Sequence, residues 1–383
     1  MAPEIQGDFT IEAARHARKV EAFVTDYLPD DPTFSYEDRV EYYRKLKDHL
    51  GVSSLRTELR PKDMLDEEGN FVESTVKRYE DSLKAMKEAG VSMGVLVLFT
   101  PSKSQYELAK KNPEQFVYLY EKCAQKSAAM CLEAGVTPTR VQAMNEVNTS
   151  FQTKVGLETT IKLIQKTSEA FKAAFPEAKI ITTVLTAGAK DWQGFTRTLV
   201  EKAGASLDGV GFDYYPGTYE NPAGVPIIGK KPYEAFAGTT PYRWIADEKL
   251  HGILRGKDVL LAEIGAPAVV PEDIPDAPKI ARNILAKLRY DYRHQRFGYD
   301  RILQTLDHFF LDAERKGVAA QNIFSAIGFF QGGRVQGVDT KAPWGIDFVP
   351  FTLLRKDAKG TFQPTEAGKH LSYLIQTRLG LQQ

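Results

Sequence analysis

The chain has 383 residues, of which 43% are hydrophobic and 26% are charged, as is usual for a globular protein with a sizeable core. Its 50 basic and 50 acidic residues give a formal net charge of zero, without the basic surplus of a nucleic-acid-binding protein. No apolar run is long enough to span a membrane. We therefore expect no nucleic acid and no membrane as a partner, and a neutral ligand instead.

The N-terminal stretch lacks the apolar segment of a signal peptide. We expect either a cytoplasmic protein or a secreted one whose signal has been removed. The only cysteines, Cys123 and Cys131, lie about 12 Å apart on a predicted helix, from the rise per residue. That distance is too long for a disulfide, so we expect buried thiols and no dependence on an oxidising compartment.

Short apolar runs alternate with helical segments along most of the chain. The runs predicted as strands cover, in chain order, 52–61, 91–101, 139–147, 178–186, 207–216, 257–267 and 322–333. The predicted helices cover 35–51, 76–90, 113–135, 157–176, 192–204, 242–256, 278–316 and a last segment near 365–380. A first strand is expected near residues 4–11. Continuous apolar strands are typical of a parallel sheet that is buried on both faces.

The alternation of strand and helix leaves two fold classes open, an eight-stranded barrel and a doubly wound open sheet. The barrel is favoured because the units repeat at about 40 residues each and no strand leads into a glycine-rich phosphate turn. We therefore predict an α/β fold, a (β/α)8 TIM barrel with residues 1–383 in a single domain. Long connections (216–241, 266–278 and 331–348) follow the last three strands, at the end where such barrels carry their active sites.

Polar residues collect at the ends of the predicted strands: Arg56, Glu58 and Arg60 on the second, Asn145 and Glu146 on the fourth, Asp213, Tyr214 and Tyr215 on the sixth, and Glu263 on the seventh. The fourth and seventh strands of an eight-stranded barrel face each other across its mouth, so we expect Glu146 and Glu263 to converge. The charges of the second strand could alternatively form a salt-bridge layer, and Arg56 is the residue that we favour for the site.

Two convergent carboxyl groups beside arginine, tyrosine and asparagine are the groups that a retaining glycoside hydrolase needs. One carboxyl donates a proton to the leaving oxygen, and the other attacks the anomeric carbon from a position about 5–5.5 Å away from its partner. Arginine and tyrosine would keep the nucleophile ionised and oriented, and asparagine could bind the sugar 2-hydroxyl.

Three short strings carry a resemblance to a known superfamily. NEV (145–147), YYP (214–216) and EIGAP (263–267) resemble the clan A retaining glycoside hydrolases, and most of all their β-1,3-glucanase and β-1,4-galactanase families. The resemblance implies a (β/α)8 barrel with the acid/base at Glu146 and the nucleophile at Glu263. It implies substrate or nucleophile contacts by the residues Asn145, Arg56, Tyr214 and Tyr215.

Other aromatic and polar residues are weaker candidates for substrate binding. Trp192 and Trp344 lie in predicted strand-to-helix connections, where they could stack on a sugar ring or simply pack the loop. At the strand-8 position where the clan usually has tryptophan, this chain has Phe329-Phe330-Gln331, and Gln331 is a candidate contact. The six histidines show no metal-ligand spacing, so we predict no metal and no cofactor.

The function predicted from the sequence is the retaining hydrolysis of β-linked glycans in an oligosaccharide or polysaccharide. Two alternatives remain. The same acids could serve a transglycosidase, in which an acceptor sugar replaces water, or the barrel could bind carbohydrate without catalysis.

Overall fold

The structure, a computed structural model, describes residues 21–26, 34–98, 101–186, 191–214, 241–264, 326–329, 354–356 and 361–364, together with residues 369 and 372. Eight parallel strands pair in sequence order and close into a barrel. They are β1 (Glu21–Asp26), β2 (Ser54–Leu59), β3 (Ser92–Leu98), β4 (Arg140–Gln142), β5 (Lys179–Leu185), β6 (Gly209–Tyr214), β7 (Asp258–Ile264) and β8 (Ala326–Phe329). Because β8 pairs with both β7 and β1, the predicted barrel is confirmed over the open sheet.

Helices follow the strands on the outside of the barrel. Those in the described residues are α1 (Tyr36–Leu50), α2 (Pro61–Met64), α3 (Glu73–Ala89), α4 (Lys103–Lys111), α5 (Pro113–Ala134), α6 (Ser150–Val155), α7 (Leu157–Ala174), α8 (Trp192–Ala203) and α9 (Pro241–His251). A large apolar cluster fills the layer between them and the strands. None of these helices is long and apolar enough to cross a membrane.

Local sequence signals explain where the helices begin and end. The Ser35 hydroxyl accepts a hydrogen bond from the Asp38 amide at 3.1 Å, and the Asp38 carboxylate accepts one from the Ser35 amide at 3.2 Å, which is a capping box for α1. The same helix ends at Gly51, whose φ of 70° favours a residue without a Cβ atom. Gly90 and Gly135 end α3 and α5 in the same way, as the sequence predicted.

The first strand lies elsewhere than the sequence indicated. The barrel begins with β1 at Glu21–Asp26, so the prediction of a first strand near residues 4–11 is wrong. The physical reason is that this strand has only three consecutive apolar residues, 22–24, and no periodic signal of its own. Its place is determined by its hydrogen-bond ladders with β2 and β8.

The barrel interior is divided between apolar and polar side chains. Residues of odd-numbered strands form one buried apolar cluster: Phe23, Val95, Val97, Ile181, Leu260 and Ala262. The even-numbered strands β2 and β4 contribute Arg56 and Gln142 instead, and Arg56 Nε donates to Gln142 Oε1 at 3.1 Å. Polar groups buried this deeply need partners, and those partners lie toward the carboxyl ends of the strands.

An ion cluster closes the opposite end of the barrel, where the strands begin. Arg140 binds Glu21 through Nη1 and Asp258 through Nε, both at 2.7 Å. Lys179 lies 3.5 Å from Asp258, and the Ser54 hydroxyl donates to Glu21 at 3.0 Å. Ion pairs at this end therefore connect four strands, β1, β4, β5 and β7.

A short antiparallel hairpin of β9 (Leu354–Lys356) and β10 (Phe362–Pro364) packs against α1. Phe362 is fully buried there, with its ring centroid 5.7 Å from that of Phe34 and 5.4 Å from that of Tyr42. The predicted helix 278–316 and the long connections 216–241, 266–278 and 331–348 lie outside the described residues, apart from Pro241.

Candidate active site

The acid Glu146 stands at an irregular strand end. The sequence predicted a strand over 139–147, but regular pairing of β4 stops at Gln142. The backbone beyond it still bonds to β5, since Ala143 donates to Ile181 O at 2.9 Å and Val147 donates to Thr183 O at 3.0 Å. Between these two bonds Glu146 takes a φ of 44°, which is unusual for a residue with a side chain.

Several contacts hold Glu146 in this conformation. Its amide donates to the Thr183 hydroxyl at 2.8 Å. Its carbonyl oxygen accepts from the Thr149 amide at 3.0 Å and from the Thr149 hydroxyl at 2.8 Å. Backbone strain that neighbouring contacts maintain in this way is concentrated at functional sites in proteins.

Asn145 is anchored through its side-chain oxygen. Three donors reach Asn145 Oδ1: Gln142 Nε2 at 2.7 Å, Arg56 Nη2 at 2.9 Å and Thr183 Oγ1 at 2.9 Å. Because all three donate to the oxygen, the orientation of the amide is settled and its NH2 group lies on the other side.

Arg56 joins the two halves of the site. It is fully buried, and its Nη2 lies 2.5 Å from Glu263 Oε1 as well as 2.9 Å from Asn145 Oδ1. Its other nitrogens bind Gln142 and, at 3.4 Å, the Thr25 hydroxyl. One guanidinium therefore links the ends of β4 and β7, which the sequence predicted to converge.

A bulge turns Glu263 toward the mouth. Ala262 belongs to the interior cluster, so in a regular strand the next residue would face outward. The ladder between β6 and β7 shifts here, however, because Phe212 pairs with Leu261 whereas Asp213 pairs with Glu263. Bulges often redirect side chains beside active sites, and this one allows Glu263 to reach Arg56.

Glu58 on β2 and Arg60 just after it form a salt bridge next to this pair. Arg60 Nε and Nη2 each lie 3.0 Å from Glu58 Oε2, and Arg56 Nη1 lies 3.7 Å from Glu58 Oε1. Burial raises the pKa of Glu58, although Arg60 and Arg56 act in the opposite direction. Arg56 thus contacts Glu263, while Glu58 and Arg60 form the salt-bridge layer beside it, and the role of Arg56 in the site stays a prediction.

The surroundings of Glu146 favour the protonated form of its carboxyl group. Burial raises its pKa to about 7, the negative charge of Glu263 adds to the increase, and Arg56 opposes it. At neutral pH a large fraction of Glu146 therefore carries a proton, while Glu263 is ion-paired with Arg56.

Asp213 is a further buried acid beside these glutamates. It is fully buried, and among the described residues neither of its carboxyl oxygens has a hydrogen-bond partner. Burial, and then the charges of Glu263 and Glu146, raise the pKa of Asp213 well above its ordinary value, although Arg56 and the nearby Thr183 hydroxyl act in the opposite direction. The sequence placed Asp213 at a strand end but assigned it no role.

The predicted aromatic contacts have different outcomes. Trp192 is the first residue of α8, and it packs edge to face on Trp244 and Phe212, with centroids 4.9 and 6.0 Å away. Phe212 belongs to the layer between strands and helices, so Trp192 packs on that layer, and its stacking on a sugar ring stays a prediction. Tyr214 ends β6, but its side chain is outside the description, as are all of Tyr215, Gln331 and Trp344.

Sequence reasoning missed Gln142 and Thr183, which together bind Arg56, Asn145 and the Glu146 amide. The available signal was a polar residue inside an otherwise apolar strand, as in RVQAM and KIITTVL. Within the described ranges, no group of three histidine, cysteine or acidic side chains is arranged to hold a metal ion.

Part of the chain matches a family of glycosidases. The family model of Glycosyl hydrolase family 53, a clan A family of β-1,4-galactanases, matches residues 101–223. The matched segment contains Asn145, Glu146 and Asp213, whereas Arg56 and Glu263 lie outside it. A search of curated proteins finds no match.

Solved structures with a similar barrel include β-glycosidases. The family 1 β-glucosidase from Thermotoga maritima has 13% sequence identity and a TM-score of 0.57, and the alignment covers 94% of this chain and 98% of that chain. The exo-β-1,4-mannosidase Op5Man5 from Opitutaceae bacterium strain TAV5 has 13% identity and a TM-score of 0.59, over 94% of this chain and 59% of that chain. At these identities the likeness concerns the fold. The family match and the shared barrel together confirm the resemblance of this chain to the clan A glycoside hydrolases, which its strand-end motifs indicated.

Proposed function

We propose that the protein is a retaining glycoside hydrolase that cleaves β-linked glycans, with Glu146 as the acid/base and Glu263 as the nucleophile. The observation that carries this proposal is the presence of two carboxyl groups with different surroundings at one barrel mouth. Glu263 is paired with Arg56 at 2.5 Å, whereas burial raises the pKa of Glu146 to about 7.

The reaction proceeds by double displacement. In the first step the Glu146 carboxyl donates its proton to the glycosidic oxygen while the Glu263 carboxylate attacks the anomeric carbon, and the leaving group departs as an alcohol. In the second step the Glu146 carboxylate takes a proton from water, whose oxygen attacks the same carbon. The ester bond to Glu263 breaks, and the sugar leaves with its original anomeric configuration.

The surrounding groups have roles that follow from their contacts. The Arg56 guanidinium pairs with Glu263 and orients it, because Arg56 is itself anchored by Gln142 and Thr25. The Asn145 NH2 group, opposite the anchored oxygen, donates a hydrogen bond to the sugar 2-hydroxyl. That bond becomes stronger as the oxocarbenium character of the transition state develops.

The substrate class is a β-linked carbohydrate, and the mechanism requires no metal or cofactor. The partial match to Glycosyl hydrolase family 53 supports this class, and so does the barrel shared with a β-glucosidase and an exo-β-1,4-mannosidase. We propose that residues 1–383 form one catalytic (β/α)8 domain, with Tyr214, Tyr215, Gln331 and Trp344 as substrate contacts.

Azide rescue tests the two roles separately. Dinitrophenyl β-glycosides of glucose, galactose and mannose identify the accepted sugar. NMR immediately after cleavage then gives the anomeric configuration of the sugar that the wild type releases. We expect the β-anomer first. With azide, Glu263→Ala should give the α-glycosyl azide and Glu146→Ala the β-glycosyl azide, because azide replaces the nucleophile in one variant and water in the other.

Glu58→Ala is the matched control, because it removes another buried carboxyl group from the same mouth. It should yield no glycosyl azide. An α-glycosyl azide from Glu58→Ala, or full activity of Glu263→Ala, would contradict the nucleophile assignment. Products extended by an added acceptor sugar in preference to hydrolysis would indicate the transglycosidase, and binding of β-glycans without any turnover would indicate the non-catalytic barrel.

A further inference from the structure

Asp213 lies inside the barrel mouth, next to the proposed nucleophile. A Cβ atom built on Gly211 would lie 2.7 Å from Ala262 Cβ and 2.8 Å from Thr183 Cγ2, so Gly211 faces the interior. Asp213 is two residues further along the same strand and therefore faces the same way. It is the register partner of Glu263, and its side chain is completely buried.

Burial and the charges of Glu263 and Glu146 raise the pKa of Asp213 more than the nearby Thr183 hydroxyl lowers it, and that hydroxyl has other partners. Thr183 Oγ1 donates its single proton to Asn145 Oδ1 at 2.9 Å. The same oxygen accepts from the Glu146 amide at 2.8 Å and from Gln142 Nε2 at 3.1 Å. The Thr183 hydroxyl is therefore shared among Asn145, Gln142 and the Glu146 amide, and it leaves the charge of an ionised Asp213 largely uncompensated.

The cations around Asp213 are engaged with other carboxyl groups. Arg56 contacts Glu263 and Glu58, and Arg60 contacts Glu58. An ionised Asp213 would therefore be a buried negative charge beside the carboxyl groups of Glu263 and Glu146. Such a charge is strongly unfavourable unless it is paired, and a protonated carboxyl avoids the difficulty.

We propose that Asp213 is a positioning residue that stays protonated and donates a hydrogen bond to the carboxylate of Glu263. A neutral carboxylic acid has a proton to donate, and Glu263, the register partner of Asp213 on β7, has a carboxylate that can accept it. The raised pKa of Asp213 agrees with this protonation state. Buried neutral acids that act as hydrogen-bond donors are known in other enzymes.

The role rests on the proposed function, because it acts through the nucleophile. A donor on Glu263 would complement Arg56 and fix the direction of attack. A neutral Asp213 would also add no further negative charge near Glu146. Asp213 thus faces Glu263 on β7, Glu146 after β4, Arg56 on β2 and Thr183 on β5.

Infrared spectroscopy tests the protonation state without reference to activity. The carboxylic-acid carbonyl band is compared at pH 8, where Glu146 is mostly ionised, for wild type, Asp213→Asn and Asp208→Asn. Asp208 leads into β6 and is paired with Lys172 at 2.9 Å, so it is the matched control. We expect Asp213→Asn to lose one protonated band and Asp208→Asn to lose none. An unchanged band in Asp213→Asn would overturn the proposal.

Kinetics on the accepted aryl glycoside test the hydrogen bond to Glu263. Asp213→Leu should lower kcat about 10–100-fold, as loss of an orienting partner does. The acidic limb of its plot of kcat against pH should also move to higher pH, because Glu263 loses a hydrogen-bond donor. Asp213→Asn keeps a neutral donor, so its kcat should fall less, and the acidic and alkaline limbs of its pH profile should stay in place. Wild-type kcat and an unmoved acidic limb in Asp213→Leu would overturn the donation. An alkaline limb shifted to lower pH in Asp213→Asn would show that Asp213 is ionised in the wild type.

Failure of the proposed function and failure of the role of Asp213 would give different results. If the proposed function fails, azide rescue at Glu146 and Glu263 fails while the infrared band remains assignable to Asp213. If the role of Asp213 alone fails, azide rescue succeeds and the band is unaffected by its substitution.

Discussion

Glu146 and Glu263 differ in what surrounds their carboxyl groups. Glu263 has the buried guanidinium of Arg56 at 2.5 Å. For Glu146, burial is the largest influence, and it raises the pKa to about 7 together with the charge of Glu263. The proposed division of roles, with Glu263 as nucleophile and Glu146 as acid, rests on this difference in surroundings.

The pH dependence should report the protonation of Glu146. Only its protonated form can donate to the leaving oxygen, so kcat/KM for substrates with poor leaving groups should fall as pH rises through about 7. Glu146→Gln should remove this alkaline limb and lower kcat/KM by about 10²–10⁴-fold. Initial rates over a pH series, for wild type and variant, provide the measurement.

Glu248→Gln is the control for this experiment. Glu248 is also a buried glutamate, but it is paired with Arg197 outside the mouth. Its substitution should leave the alkaline limb in place. Persistence of the limb in Glu146→Gln would show that another group titrates there.

The end of β4 is the element that departs most from regular geometry. Its ladder becomes irregular after Gln142, and Glu146 takes a φ of 44° to present its carboxyl. A side chain in this region costs about 1–2 kcal/mol relative to the right-handed conformation, whereas glycine has no such penalty. The backbone conformation of Glu146 therefore lowers the stability of this element, and the same conformation sets the position of the Glu146 side chain.

Removal of the Cβ atom at this position should reveal the strain. Glu146→Gly and Glu146→Ala both lack the acid, so both should be poor catalysts, but Glu146→Gly should unfold with a free energy about 1 kcal/mol higher. Urea denaturation of both variants at one pH measures the difference.

Ala143→Gly supplies the comparison at a neighbouring position with an ordinary negative φ. There, glycine should lower the free energy of unfolding by roughly 0.5–1 kcal/mol. If Glu146→Gly were less stable than Glu146→Ala, position 146 would not be strained.

At the scale of the whole molecule, the two ends of the barrel carry different charged clusters, and we expect one to serve stability and the other chemistry. The cluster of Arg140, Glu21 and Asp258 closes the end where the strands begin. Arg56 and Glu263 pair at the end where the strands stop. In barrels of this kind, active sites occur at the second end.

Removal of Arg140 should therefore affect folding alone. Arg140→Met leaves the buried carboxyl of Asp258 without its closest cation, and the free energy of unfolding should fall by roughly 3–5 kcal/mol. The folded variant should keep the wild-type kcat/KM below its unfolding temperature. Calorimetry and initial rates measure the two quantities.

Arg56→Met makes the opposite comparison. It should be destabilised to a similar extent, because it also breaks a buried ion pair, but it should lose activity as well. Equal loss of kcat/KM in folded Arg140→Met and Arg56→Met would contradict the separation of the two ends.

Much of the architecture could be predicted from the sequence, because its signals are local. Apolar runs located strands two to eight, and the glycines at 51, 90 and 135 marked helix ends. The polar residues at strand ends pointed to Arg56, Asn145, Glu146 and Glu263. These signals depend on residues that are close together along the chain.

Tertiary structure decided the rest, because the relevant contacts join strands that are distant in sequence. Only pairing with β2 and β8 identifies β1, and only the bulge between β6 and β7 turns Glu263 to Arg56. The same pairing brings Asp213 beside Glu263. The sequence determined which strands end in reactive groups, and strand register determined which of those groups meet.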